Sequence, residues 1–377
     1  MSARAAVRTG APLVSLALAG TLLAGCSDDD DGSAGGPGGV FAPLVEEVDG
    51  DTAAAEFLDD YVDDDGRVVR TDQGGDTVSE GQAYALLIAL GAGDRSTFGE
   101  VWDWTRDNLV RDDGLLSWRW ADGEVVDPSA ATDADLDAAR ALVLAGERFD
   151  EPAWTEDGVA LAEAVLDHAT VEVPEGLAVV AGEWATTAPF WFNASYVSPA
   201  TTDVLGDATG DERWAAVEAG SRAALLSLTE ATALPPDWAH VQDDGTAYPV
   251  EGPGGQPVQF GYDAARVLLR HAESCEDVDR EIAADLVDVL GTGETVAIYD
   301  LGGSGTTADR SPLMTTAQAA GLAAAGDTAG ATTALRDAVA LADEVPTYYG
   351  DAWAALAPLM LGDPALGGCA PLAEGDA

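Results

Sequence analysis

The sequence predicts an all-α domain of about twelve helices, arranged as an (α/α)6 barrel. Roughly twelve stretches carry apolar residues at three- and four-residue spacing. They begin near residues 51, 79, 96, 133, 156, 197, 211, 261, 277, 311, 328 and 348. Breaks rich in Gly, Asp and Pro separate them, and strand-like segments are scarce. Twelve helices in one domain suggest six helical hairpins in a ring, and the loops at one end of the ring would then line a groove.

The residue pattern within individual segments supports an all-α fold. In the second stretch Tyr84, Leu87 and Ile88 recur at helical spacing, and the fourth shows the same pattern at 136, 139, 142 and 143. The best strand candidates, 177–180 and 295–299, are both short. No second linker interrupts the chain after residue 42, so residues 43–377 are predicted to form one domain.

The N-terminal residues read as a targeting segment. A positively charged start precedes an apolar run over 11–23 that is too short to span a bilayer comfortably. Leu23-Ala24-Gly25-Cys26 then resembles the lipobox of bacterial lipoproteins. The resemblance implies a signal peptide over 1–25 and a lipid on the Cys26 thiol; an ordinary signal peptide is the alternative. Residues 26–42, rich in Asp, Gly and Ser, predict a linker. We therefore expect a secreted protein, lipid-anchored at the extracellular face of the cell membrane.

The charge balance limits the partners. The chain has 68 acidic residues against 17 basic ones, a formal net charge of −51, and it contains no lysine. Schiff-base chemistry and a Walker A site are thereby excluded. A surface with this much negative charge repels nucleic acid and anionic lipid. A neutral or cationic polymer is therefore the better partner. We expect a monomer that touches the membrane only through its anchor. Solubility at high salt or a lineage-wide habit is the simpler explanation of the acidity.

Metal and cofactor motifs are missing from the sequence. The three histidines form neither an HExxH motif nor a His/Cys cluster. Asp133-x-Asp135-x-Asp137 imitates a calcium loop but has Ala138 and Leu144 at the sixth and twelfth positions, where an EF-hand needs Gly and Glu. We therefore predict no metal and no cofactor. Carboxylates and aromatic residues remain as candidate functional groups, and glycoside hydrolysis uses both.

Two cysteines remain beside Cys26. Outside the cytoplasm, Cys275 and Cys369 could form a disulfide. Either could instead be a small buried hydrophobic residue. The sequence leaves both interpretations open.

Three acidic segments fall at predicted helix starts, and each also has a purely structural interpretation. In the first, Glu80 and Thr77 have the spacing of a capping box. In the second, Thr132 could cap a helix whose first turn contains Asp133. In the third, Asp263 could simply pair with an arginine three residues later. Composition and spacing alone decide none of these cases.

In this order the segments resemble glycoside hydrolase family 8. The family pattern has Ser/Thr-Glu-Gly, then Ala-Thr-Asp-x-Asp, then Tyr-Asp-Ala-x-Arg; the chain has Ser79-Glu80-Gly81, Ala131 to Asp135 and Tyr262 to Arg266. Lesser matches complete the set, and the resemblance covers about residues 50 to 365. They are Asn193-Ala194-Ser195-Tyr196 with Pro199, Pro236-Asp237-Trp238, Ser311-Pro312 and Tyr348-Tyr349-Gly350-Asp351.

The resemblance implies an (α/α)6 barrel and hydrolysis with inversion. It places Glu80 on the general acid, Asp263 on the general base and Asp133 on a carboxylate that binds the sugar at the cleavage point. Arg266 and Tyr196 match residues that line the same region. Burial near other carboxylates would raise the pKa of Glu80, and Arg266 would keep Asp263 charged. Inversion requires the two carboxyls to lie roughly 6.5–9.5 Å apart.

Aromatic side chains near these segments could stack on sugar rings. Trp118 and Trp238 have the better case because both lie in Asp/Gly-rich loops beside matched motifs, and Tyr349 belongs to a motif itself. The remaining candidates are Trp120, Trp184 and Tyr348. Trp102 and Trp104 lie within a helix and are predicted to pack in the core.

Departures from the family pattern bear on the substrate. Gln82-Ala83-Tyr84-Ala85 replaces the common Met-Gly-Tyr-Gly, and Leu268-Leu269-Arg270 replaces Pro-Trp-Arg. A glutamine at the first position resembles the subgroup that accompanies bacterial cellulose synthesis. We expect an endo-β-1,4-glucanase; a chitosanase, a xylanase, a mixed-linkage glucanase or a non-catalytic glycan-binding lipoprotein are the alternatives. A two-lobed solute-binding protein is disfavoured because alternating strand signals are lacking.

Overall fold

The structure is a computed structural model that describes residues 50–373. The predicted signal peptide, Cys26 and the linker lie outside the described residues. The described part contains twelve α-helices, in agreement with the prediction. They are α1 Gly50–Tyr61, α2 Ser79–Ala92, α3 Arg95–Asn108, α4 Thr132–Arg148, α5 Pro152–His168, α6 Pro199–Thr209, α7 Arg213–Ala231, α8 Arg266–Ala272, α9 Asp277–Leu290, α10 Pro312–Ala324, α11 Thr328–Glu344 and α12 Tyr348–Gly362.

The helices form two concentric rings, which confirms the (α/α)6 barrel. Each even-numbered helix contacts the next even-numbered one, from α2 through α12 and back to α2. The odd-numbered helices pack outside them against their neighbours in sequence. Helices α2, α10 and α12 are buried over most of their length because they lie in the inner ring. No helix in the described range is long and apolar enough to cross a membrane.

Short antiparallel strands lie in the loops between the helices. They form three small sheets, with the orders β1-β2-β3, β4-β5 and β6-β7-β8. Their bounds are β1 Thr77–Val78, β2 Arg119–Ala121, β3 Glu124–Asp127, β4 Thr170–Val173, β5 Gly176–Val179, β6 Phe190–Phe192, β7 Ala239–Val241 and β8 Ala247–Pro249.

One of the two predicted strands is present and the other is wrong. The segment 177–180 falls largely on β5. The segment 295–299 is not a strand; only Tyr299 makes bridges, one to Phe260 and one to Gly305. Ala297 instead donates its amide to the carbonyl of Asp309. This β-prone stretch therefore crosses several loops in turn and pairs with none of them continuously.

Three buried ion pairs join α4 to α8 and to Glu273, the residue that follows α8, and we call them the ion-pair ladder. Arg266 pairs with Asp133, Arg270 with Asp137 and Arg140 with Glu273, at N–O distances of 2.7, 2.7 and 2.8 Å. Along each of the two segments the three members are spaced by four and three residues, so all lie on one face. Each of these side chains is at most 3% exposed. Because α6 stands between α4 and α8 in the ring, the ladder spans the space inside it.

The C-terminal segment covers the far end of the ladder. The carbonyl of Leu366 accepts a hydrogen bond from Arg140 Nε (2.7 Å), and the amide of Cys369 donates to the carbonyl of Glu273 (2.9 Å). Cys275 and Cys369 form a disulfide, which decides between the two interpretations of these cysteines. The last described residues are thereby tied to the loop after α8.

The ladder predicts a stability effect. Arg270→Met should lower the free energy of unfolding by about 3–5 kcal/mol, because it leaves Asp137 charged, buried and without its partner. Arg106→Met is the matched control: its pair with Asp103 is exposed, and such pairs contribute about 1 kcal/mol or less. Urea denaturation of both variants measures the difference. Equal small losses in the two would contradict a structural role for the ladder.

Candidate active site

The first turns of the inner helices carry the predicted site residues. Glu80 is the second residue of α2, and Asp133 is the second residue of α4. Arg266 begins α8, and Asp263 lies in the turn just before it. Tyr349 is the second residue of α12, and its hydroxyl donates to the carbonyl of Tyr262 (3.0 Å). The ring thus brings together segments that are far apart in sequence.

Arg266 connects the members of the site. Its guanidinium is buried, and Nη1 donates to Asp133 Oδ2 (2.7 Å) and to the hydroxyl of Tyr84 (3.1 Å). Nη2 donates to Asp263 Oδ1 (2.8 Å). The guanidinium carbon lies 5.5 Å from the ring centre of Tyr196. One buried cation therefore fixes two carboxylates and a tyrosine relative to one another.

The ion pair of Asp263 does not make it a purely structural residue. It pairs with Arg266, as the structural interpretation predicts, yet a third of its side chain remains exposed. The side chain of Asn193 lies beside the carboxyl and favours its ionised form. The carboxyl is therefore held in place and is still open to solvent on one side.

Glu80 is oriented by contacts other than a capping box. The Thr77 hydroxyl donates to the carbonyl of Val68 (2.7 Å), and no side chain caps the start of α2. The capping-box interpretation is therefore wrong. Trp118 Nε1 instead donates to Glu80 Oε1 (3.3 Å), and the side chain is partly exposed.

Burial sets the proton affinity of both candidate catalytic groups. Burial raises the pKa of Glu80 to about 7, and the nearby Asp133 carboxylate contributes to the rise. Burial likewise raises the pKa of Asp263 to about 7. Arg266 opposes this rise, but burial and the charges of Asp237 and Asp133 outweigh it. Arg266, which was expected to keep Asp263 charged, therefore offsets only part of the effect of burial.

The second acidic segment contributes one site residue and one supporting residue. Asp133 accepts from Arg266, whereas Asp135 accepts the amide of Leu116 (2.7 Å) and thereby holds the loop that leads to Trp118. Burial raises the pKa of Asp135. Thr132 does not cap α4; its hydroxyl is buried without a hydrogen-bond partner.

A row of aromatic rings leads away from the carboxylates. Tyr196 packs edge-on against Trp238, with ring centres 6.0 Å apart, and Trp238 packs against Trp191 at 6.2 Å. Trp191 is followed by Trp184, which is 42% exposed. We call these four residues the aromatic row. Trp191 was missed in the sequence, although its place in Phe190-Trp191-Phe192, just before a matched motif, was a usable signal.

The other aromatic candidates divide by exposure. Trp118 and Tyr349 are partly exposed. Trp120 packs edge-on against Trp104, which is buried as expected. Tyr348 is buried, so it offers no open face to a sugar.

Buried Tyr348 constrains the residue that follows Glu80. A Cβ placed on Gly81 would lie 2.7 Å from the Tyr348 hydroxyl oxygen, so only glycine allows this approach. The hydroxyl itself has no hydrogen-bond partner.

Three polar residues of the site were not singled out as site residues from the sequence. Tyr84 was used only for its helical spacing and within a departure from the family pattern, and Asn193 and Asp237 only as parts of lesser motifs. The structure brings all three to Arg266 or Asp263. Their contacts depend on the ring and could not be read from local spacing.

The site combines carboxylates, a buried arginine and aromatic rings near the helix starts of an (α/α)6 barrel. This combination suits acid–base chemistry on a glycan chain. The family model "Glycosyl hydrolases family 8" matches residues 49–361. The chain belongs to this family.

Relatives and solved structures agree with this assignment. A "Probable endoglucanase" of Novacetimonas hansenii is 38% identical over 223 residues, which are 57% of this chain and 64% of the relative. The match therefore spans slightly less than two thirds of that relative's length. An endoglucanase of Escherichia coli K12 is 30% identical over 227 residues, 57% of this chain and 60% of the relative. The structure of an endo-β-1,4-glucanase from Acetobacter xylinum aligns with a TM-score of 0.70 and 28% identity, covering 83% of this chain and 98% of that one.

The site predicts that one glutamate titrates near neutral pH. With glutamate labelled by 13C at the side-chain carboxyl, one signal should shift with a midpoint at about pH 7, because burial disfavours the charged form of Glu80. Glu80→Gln should remove this signal, and Glu294→Gln, a change at an exposed residue, should leave it. Absence of any glutamate midpoint above about 6 would refute the raised pKa of Glu80.

Proposed function

We propose that the protein is an endo-β-1,4-glucanase that inverts the anomeric configuration, with Glu80 as general acid and Asp263 as general base. The observation that carries the proposal is the bonding of Arg266 to both Asp133 and Asp263, beside a partly exposed Glu80 of raised pKa. Two carboxyls, one protonated and one ionised, are what glycoside hydrolysis requires.

The two carboxyls have opposite tasks in this mechanism. Glu80, protonated near neutral pH, gives its proton to the glycosidic oxygen as the bond to the anomeric carbon breaks. Asp263, ionised, takes a proton from a water that attacks the same carbon from the opposite face. Because both pKa values lie at about 7, the required combination of one protonated and one ionised group is populated near neutrality. Asp133, held by Arg266, is proposed to bind the sugar at the cleavage point.

The aromatic row supports a glycan chain as the substrate. Flat rings suit the apolar faces of pyranose sugars, and the row leads from Tyr196 beside Arg266 to the exposed Trp184. The names of the N. hansenii and A. xylinum proteins, an endoglucanase and an endo-β-1,4-glucanase, favour cellulose or a related glucan. Xylan, mixed-linkage glucan and chitosan are the competing substrates. A purely glycan-binding protein would not need an acid of raised pKa.

Substitution of the two carboxyls tests the mechanism. On carboxymethylcellulose, lichenan, xylan and chitosan, the native protein should release most reducing ends from a β-1,4-glucan. Glu80→Gln and Asp263→Asn should each lower kcat about 10²–10⁴-fold with little change in KM, since each removes one general acid–base contribution. A substrate with an activated leaving group should partly rescue Glu80→Gln and not Asp263→Asn, because its leaving group departs without protonation.

The stereochemistry of the first product provides the independent check. Proton NMR during early turnover should show the α-anomer from a β-linked glycan. A first product of β-configuration would refute Asp263 as a base, because a carboxylate nucleophile gives retention.

We further propose that the protein is anchored outside the cell by a lipid on Cys26. The support is the Leu23-Ala24-Gly25-Cys26 sequence, followed by an Asp/Gly/Ser-rich tether. Cys26→Ala should move the protein from the membrane fraction to the medium or aqueous fraction, with its activity per molecule unchanged. Ser27→Ala is the matched control and should stay with the membrane. Membrane association that survives Cys26→Ala would rule out the lipid anchor.

A further inference from the structure

A buried carboxylate lies beneath the turn that carries Asp263. Asp237 is 5% exposed, and its Oδ1 accepts three backbone amides: those of Gly261 (2.9 Å), Asp263 (3.2 Å) and Ala264 (2.9 Å). Its Oδ2 accepts from Gln259 Nε2 (3.1 Å). All four donors are N–H groups; they favour the ionised carboxylate and oppose the rise in the pKa of Asp237 that burial causes.

This contact explains why α8 begins late. The apolar pattern predicts a helix start near residue 261, whereas α8 begins at Arg266. The amides of 261, 263 and 264 converge on one oxygen, and this holds the chain in a turn before the helix. A Cβ on Gly261 would lie 2.8 Å from both Asp237 Oδ2 and Gln259 Nε2. The turn is thus pressed directly against the carboxylate.

We propose that Asp237 is a positioning residue for the base: through the Gly261–Ala264 turn it fixes where the Asp263 carboxyl meets the groove, and its negative charge faces that carboxyl from below. The proposal rests on the proposed function of Asp263 as general base. Asp237 acts only through Asp263 and through the backbone of the turn.

The charge of Asp237 adds an effect that a neutral support would lack. The groups facing Asp263 are Arg266 of α8, which stabilises its ionised form, and the carboxylates of Asp133 and Asp237, which oppose it. The side chain of Asn193 also favours the ionised form, and the rings of Tyr196 and Tyr349 lie nearby. Removal of the charge at Asp237 alone should therefore lower the pKa of Asp263, because one of the two repelling carboxylates is lost.

Two substitutions at Asp237 separate the effect of its hydrogen bonds to the turn from the effect of its charge. Asp237→Asn keeps an Oδ1 acceptor for the three amides and removes the charge. Its plateau kcat should stay within about tenfold of native, and the acidic limb of kcat/KM should move to lower pH by about 1 unit. Asp237→Ala removes every acceptor, so kcat should fall about 10²-fold or more with little change in KM, as expected when a reacting group is displaced by about 1 Å.

Two further variants supply controls. Gly261→Ala keeps the charge but pushes the turn away, so kcat should fall while the acidic limb stays at its native pH. Asp279→Asn alters another buried acid, which pairs with Arg222 away from the groove; it should lower stability and leave the acidic limb unmoved. Native-like kcat in Asp237→Ala would overturn the proposal, and so would an unshifted acidic limb in Asp237→Asn.

A titration distinguishes failure of this inference from failure of the proposed function. With aspartate labelled by 13C at the side-chain carboxyl, the signal lost in Asp263→Asn belongs to Asp263. Its midpoint should be lower in Asp237→Asn than in the native protein, whether or not the protein turns over a glucan. An unchanged midpoint overturns the inference even if Asp263 is the base. Should Asp237→Ala fail to fold, Asp237→Asn and this titration still decide the question.

Discussion

The pairing of buried arginines with carboxylates across the barrel is the constraint on which the rest of the structure depends. A guanidinium inside a ring of apolar helices is tolerated only when carboxylates satisfy it. Arg140, Arg270 and Arg266 meet this condition through partners on the facing helix, and the pairs succeed one another along α4 and α8. The last pair, Arg266 with Asp133, also belongs to the candidate active site. The scaffold and the site therefore share one electrostatic framework.

That sharing explains how the candidate catalytic carboxyls Glu80 and Asp263 can both lie near the same arginine. Asp133 is committed to Arg266, so it stays in place as a fixed negative charge beside Glu80. Asp263 shares the same arginine but keeps one side open. Burial raises the proton affinity of both candidate catalytic groups, and the surrounding charges adjust it.

Much of the fold followed from local patterns. Eleven of the twelve helices begin within four residues of the predicted positions, because apolar spacing reflects which face of a helix is buried. The failures occur where a distant group competes with local preference. Asp237 delays α8, Val68 takes the Thr77 hydroxyl that a capping box would use, and the loops around Tyr299 replace a strand. Each competitor lies in another segment of the chain, so sequence spacing could not reveal it.

The sequence by itself determined the helical class, the order of the acidic motifs and the family resemblance that made Glu80, Asp133 and Asp263 candidates. Only the tertiary structure decided which contacts these residues make and how deeply they are buried. Asp133 and Arg266 are 133 positions apart, and closure of the ring is what brings them to 2.7 Å. Burial, which raises the pKa of Glu80 and Asp263, is likewise a property of the closed barrel. The periodicity of a helix depends on residues that are close in sequence, so the sequence reveals it. Desolvation and ion pairing depend instead on residues that are distant in sequence and that the fold brings into contact.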